Sequence, residues 1–255
     1  MKIKFYKYED TKNEIISDGK TCMTIKDKTT GKYYEVPVNE SNCKNFEKIS
    51  WDIKENYHSF LLLCIYWGAF IVLTLMNIYM SAVASIIDKV LIDEFVLALM
   101  IYLFLFIIFH ELGHLYMLHI TGRKPNKIGF KFNYIFPSFY VQINEILMLD
   151  KIQKLYIHSG GLMTSLIMNV GTYVMGCVFH INVLMAVSTY MSVTIVYNMI
   201  PLMNSDGYKI LITLLNKAEK KEAKNNCKLI SSIRVINILF TIVYTITFFL
   251  NIIND

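Results

Sequence analysis

An uncharged apolar run that ends in a pair of histidines constrains this chain most. Residues 96–109 are fourteen positions without a charge, and they lead directly into His110-Glu111-Leu112-Gly113-His114. Such a run predicts a membrane-spanning helix. A helix turns once in about 3.6 residues, so His110 and His114 fall on one face, one turn apart. Two imidazoles at that spacing can hold a single Zn²⁺. Glu111, one step round the helix, can reach a water on the metal. Two histidines and a carboxylate at such depth are costly, and they mark a functional site.

The rest of the chain continues the membrane theme. Hydrophobic residues make up 55% and charged residues 18% of the 255 positions, a balance shifted from the soluble norm toward the bilayer. Five windows approach the ~20 apolar residues that a crossing needs: residues 60–80, 95–120, 155–179, 182–202 and 233–253. The expected fold class is an all-α polytopic membrane protein of about five transmembrane helices. A small α+β cytoplasmic N-terminal unit and a β-hairpin loop near the active site complete it. The expected division is residues 1–57 as the N-terminal unit and 58–255 as the membrane-embedded domain.

The distribution of charge says more than the net +5. With a cytoplasmic N-terminus and five crossings, residues 1–59, 121–154 and 203–232 lie inside. They carry Lys54, Arg123, Lys124, Lys127, Lys131, Lys151, Lys154, Lys209 and the lysines between 217 and 228. The outside segment 81–94 carries Lys89 against Asp88, Asp93 and Glu94. This positive-inside pattern predicts a multi-pass cell-membrane protein with its N-terminus and active site toward the cytoplasm. The lysines follow membrane topology rather than one face, which excludes a nucleic-acid partner. The five cysteines form no CxxC pair and read as reduced and structural. Residues 1–51 are polar, with no apolar signal core.

Within the N-terminal unit, residues 2–8 and 14–16 have strand character. Residues 21–25 and 33–38 predict a hairpin closed by Asp27-Lys28-Thr29-Thr30-Gly31, and Asn39-Glu40-Ser41 could open a helix toward Ile49. A second hairpin is expected from the alternating aromatic stretch 128–135, with Pro137 as a break and a resumed strand over 139–143.

Two histidines do not complete a catalytic zinc site, which takes a third protein ligand and one open position. His119 stands five positions after His114, about 140° round the helix, and points away. Glu145 is one acidic candidate. Asp206 is a better one, because the expected topology brings it to the same side of the membrane as the histidines. It lies in Asn198-Met199-Ile200-Pro201-Leu202-Met203-Asn204-Ser205-Asp206-Gly207.

On these residues the chain resembles the site-2 protease family of intramembrane zinc metalloproteases. That family pairs HExxH on one transmembrane helix with NxxPxxxxDG on a later one, and both motifs are complete here, in that order. Phe109 and Ser159-Gly160-Gly161 are similar as well, although many members have Gly-Pro where this chain has two glycines. The likeness covers roughly residues 95–210 and is to the compact bacterial type without a PDZ domain. It implies one Zn²⁺ per chain on His110, His114 and Asp206, with Glu111 as general base. It suggests Asn198 near the substrate or oxyanion, with an interhelical hydrogen bond as that residue's other role. Gly113, Gly160 and Gly161 would let helices pack closely, and Pro201 and Gly207 would free the Asp206 carboxylate to reach the metal.

The implied function is intramembrane cleavage of a membrane-spanning protein or a hydrophobic peptide precursor. The alternative is a non-catalytic membrane adaptor or immunity protein that keeps the fold, and the intact Glu111 argues against it. The expected partners are the substrate and the lipid bilayer. The sequence assigns no oligomeric state.

Overall fold

The computed structural model describes residues 2–17, 22–37, 52–57, 60–82, 90–133, 136–142, 144–202 and 205–215, together with helical residues 228, 230–233, 235–237 and 239. It forms two compact units. The first comprises residues 1–71 and 118–154, and the second residues 72–117 and 155–255.

The first unit is built on a five-stranded antiparallel sheet. Its strands are β1 (Lys2–Glu9), β2 (Asn13–Ser17), β3 (Cys22–Asp27), β4 (Tyr33–Pro37) and β5 (Asp52–Tyr57), in the order β4-β3-β2-β1-β5. The β3–β4 turn forms at the residues the sequence marks. The Asp27 carboxylate accepts from the backbone N–H of Thr29 and Thr30, and Gly31 takes φ 65°, a value that suits glycine. Strand β5 was not expected. Asp52-Ile53-Lys54-Glu55-Asn56-Tyr57 shows no sustained alternation, and pairing with β1 from Lys2↔Tyr57 to Lys7↔Asp52 makes it a strand. The helix expected over 39–49 lies outside the described residues.

The same unit holds a second, two-stranded sheet, β6 (Lys127–Asn133) against β7 (Phe136–Gln142). The expected hairpin is therefore present. Pro137 is inside β7 opposite Phe132 rather than breaking it. A strand with an open edge can spare the N–H that proline lacks. A short 3₁₀ helix (Asn144–Met148) follows. Arg123 joins these parts with its guanidinium. It donates to both carboxylate oxygens of Glu14 at 2.8 and 3.2 Å and to Glu145 at 3.1 Å, and Glu145 also takes Lys26 and the Tyr33 hydroxyl. Burial alone would raise the Glu14 carboxyl, but Arg123 and Lys7 outweigh it and lower it.

Long helices fill the chain beyond. They are α1 (Phe60–Ala82), α2 (Ile92–Ile120), α3 (Lys151–Phe179), α4 (Asn182–Met199) and α5 (Asp206–Leu214). The expectation of about five transmembrane helices is corrected here. Among the described residues three helices are long and apolar enough to cross a membrane: α1, α2 and α3. The fourth window fails for a chemical reason. Helix α4 has only 18 residues, begins at Asn182, and buries Ser188, Thr189 and Ser192. Its hydroxyls make it less apolar than a lipid-facing segment. Extended backbone at Ile200, just before Pro201, ends it short of Leu202. The fifth window, 233–253, lies largely outside the described residues.

Leu, Ile and Phe side chains stand exposed along α1 and α2, with Leu61, Leu62, Ile101 and Phe104 all more than half exposed. Water would not tolerate such a surface, and hydrocarbon does. The protein is a multi-pass membrane protein. In the second unit the helices lock through one buried polar knot. Asn169 on α3 accepts from the Tyr102 hydroxyl of α2 at 2.9 Å. Its amide donates to Asn77 of α1 at 2.8 Å and to Ser192 of α4 at 2.9 Å. Hydrogen bonds of this kind are worth about 0.6–2 kcal/mol each in a membrane, so the knot sets register more than it adds stability.

Candidate metal centre

The two histidines of the α2 motif stand where the sequence puts them, one turn apart, with the ring centroids 4.9 Å from each other. Their Nε2 atoms lie 3.3 Å apart. Asp206, the first residue of α5, brings its Oδ2 to 2.9 Å from His110 Nε2 and 3.3 Å from His114 Nε2. Ligands placed tetrahedrally at the usual Zn–N and Zn–O lengths sit about 3.3 Å from one another. The three separations therefore match the edges of one face of a zinc tetrahedron.

The proton positions say the same. The Nδ1 of His114 lies 2.6 Å from the backbone carbonyl of Ile157, and a carbonyl can only accept. That nitrogen therefore carries the proton, and Nε2 of the neutral ring presents a lone pair. The Nδ1 of His110 is 2.9 Å from the Ser165 hydroxyl, which leaves its Nε2 free to face the same point. Two imidazole Nε2 atoms and a carboxylate oxygen then converge at about 3 Å, a set of donor atoms that a divalent cation would draw together. The donor set is nitrogen and oxygen at zinc-compatible spacing, so these residues fit the metal.

Local structure explains how Asp206 is delivered. Helix α4 stops at Met199, before Pro201, and the chain restarts as α5 with Ser205 as its N-cap. The Ser205 hydroxyl accepts from the N–H of Tyr208 at 3.0 Å. Gly207 was expected to loosen this turn. Instead it is helical, and a Cβ there would overlap the carbonyl of Met199, so the need is for close approach. Asn198 reaches Asp206 twice. Its amide donates to Oδ2 at 3.3 Å, and its carbonyl accepts from the Asp206 N–H at 3.3 Å. Lys209 donates to Oδ1 at 3.0 Å, so the two carboxylate oxygens have separate tasks. Burial by itself would raise the Asp206 carboxyl. The Lys209 ammonium beside it opposes that rise.

Helix α3 closes the site from the other side. Gly113 and Gly160 face each other so closely that a Cβ on either would overlap the partner backbone, as the expected close packing requires. Gly161 does something the sequence reading missed. A Cβ there would overlap His114 Nε2 and come within 2.8 Å of His110 Nε2, so the missing side chain leaves the imidazoles their space. Ser165, buried at 1% exposure, was also missed, although its place one turn beyond Gly161 puts it on the same stripe.

Other candidates lie elsewhere. Glu145 is committed to Arg123, Lys26 and Tyr33 in the first unit. His119 is exposed. Glu111 is half-buried on α2, next to His110.

A comparison with known proteins places this geometry in a lineage. The chain is 32% identical over 255 residues to the YydH protein of Bacillus subtilis (strain 168), whose name gives it as a peptide zinc metalloprotease protein. The match covers 99% of this chain and 100% of that one. This chain belongs to that zinc metalloprotease family. Its His-His-Asp triad and apolar helices make it a zinc-dependent protease of the broader site-2-protease-like type, working in a membrane context. No family model matches the chain, and no solved structure does.

Proposed function

We propose that this metalloprotease is a compact bacterial-type intramembrane endopeptidase, with His110, His114 and Asp206 holding one Zn²⁺. The observation that carries the reading is the convergence of two Nε2 lone pairs and Asp206 Oδ2 at the mutual spacing of zinc ligands. Bound zinc supplies Lewis acidity and lowers the pKa of a water from about 15.7 to about 7. Glu111, next to His110 on α2, would accept a proton from the attacking water and pass it to the amine nitrogen of the leaving group. Asn198, bonded at both ends of its amide to Asp206, acts as a positioning residue for that ligand.

The relative's name speaks of a peptide, which favours a hydrophobic peptide precursor over a membrane-bound regulator as the substrate. His114 lies six residues before the end of α2, about 9 Å along the axis, so water needs only a short path. The excess of lysine and arginine in the segment after α2 favours the cytoplasmic face for that end. A helical substrate must unwind to expose its peptide bonds, and an open edge of the β6–β7 pair is the kind of surface that receives an extended chain.

The test is Glu111→Gln in purified, reconstituted protein, with the hydrophobic precursor as substrate. The variant should bind zinc like the parent while cleavage falls by at least about 100-fold. Undiminished cleavage would remove Glu111 as the base. A parent that binds zinc yet cuts neither precursor nor membrane protein would favour the adaptor.

A further inference from the structure

Helix α3 meets the metal centre at three points that neither sequence motif contains. Ile157, Gly161 and Ser165 recur at intervals of four, so they share one stripe of the helix. The Ile157 carbonyl takes the Nδ1–H of His114 at 2.6 Å. Gly161 clears both rings. The Ser165 hydroxyl stands 2.9 Å from Nδ1 of His110. The two imidazoles are thus gripped at their far nitrogens by the same helix, one by a backbone atom and one by a side chain.

We propose that Ser165 is a positioning residue of the metal centre, accepting the Nδ1 proton of His110 and thereby aiming its Nε2 lone pair at the metal. The assignment rests on the metal-centre reading above and adds a residue to it. A ligating imidazole has two nitrogens, and the partner of the second fixes the tautomer and the ring angle. His110 needs this more than His114 does. Its other neighbour is Phe106, whose ring lies beside it with centroids 6.1 Å apart at 24° and offers no hydrogen-bond acceptor of comparable strength. Ser165 is also poorly explained as packing. It buries a hydroxyl at 1% exposure where an alanine would fill nearly the same space without the cost of desolvation.

The test measures zinc itself, by competition with a chromophoric chelator on detergent-purified full-length protein. Ser165→Ala should weaken zinc binding about tenfold, the low end of the roughly 10–100-fold effect of removing such a partner. It should also shift the visible absorption bands of the Co²⁺-substituted protein. Ser165→Thr, which keeps the hydroxyl, should recover most of both. Ser159→Ala is the control for a general disturbance of α3, because Ser159 is equally buried but bonds back to the Leu155 carbonyl of its own helix. Zinc affinity in Ser165→Ala equal to the parent overturns the proposal, and so does an equal loss in Ser159→Ala. His110→Ala separates the two levels of the argument. If it binds zinc like the parent, the metal centre itself is misassigned. If it loses zinc while Ser165→Ala does not, the fault lies with Ser165 alone.

Discussion

Two buried polar clusters share the length of α3, and they are built on opposite principles. Around Asn169 every donor meets an acceptor. The Tyr102 hydroxyl gives to the Asn169 carbonyl, and the Asn169 amide gives to Asn77, Ser192 and the Ser188 carbonyl. That cluster is complete in itself. At the other cluster, two imidazole Nε2 atoms and a carboxylate oxygen face one another, and the far ring nitrogens reach outward to Ile157 and Ser165. Two ring nitrogens and a carboxylate gathered within ligand distance of one another suit a cation. The difference teaches which buried polar groups fix a fold and which ones wait for a ligand.

The contrast can be broken most sharply at Gly161. Gly161→Ala should lower zinc affinity on the order of 100-fold or more, since its methyl would occupy the space of both imidazoles. Helical content by circular dichroism should stay at the parent level, and unaltered zinc binding would show that the rings have room to spare. A smaller effect tests whether the open cluster alone responds to metal. Zinc at a hundredfold excess over its dissociation constant should stabilise the parent by about 2.7 kcal/mol in thermal unfolding. Chelation should reverse the gain, and His114→Ala should show neither change. The smallest effect belongs to the closed cluster. Asn169→Leu should leave zinc affinity within about twofold of the parent and lower stability by about 1–3 kcal/mol, through the partners it leaves unpaired. A zinc affinity that falls with that stability would mean the two clusters are coupled along α3.

The histidine pair of the candidate metal cluster was legible in the sequence because helical spacing brings His110 and His114 together without help from the rest of the fold. No local spacing could point to Asp206, 96 positions from His110; the expected topology and its motif did. Nothing local could reveal the tasks of Gly161 and Ser165. Both depend on how closely α3 approaches α2, and that distance is set by Gly113 and Gly160 across the interface. Residues 182–202 misled for a related reason. Their Val, Ile and Met suggest a span, but Asn182 and Asn198, with the hydroxyls of Ser188, Thr189 and Ser192 that the fold turns inward, make the helix less apolar than one. Strand β5 carried no pattern of its own, and its partner β1 lies about fifty positions earlier.

The position of Asp206 also has a bearing on biosynthesis. The ribosome delivers the imidazoles first, then the helix that aims them, and the carboxylate last. A chain cut short before α5 would keep the two imidazoles but lack the third ligand of the proposed centre, and with it the means to cut its neighbours.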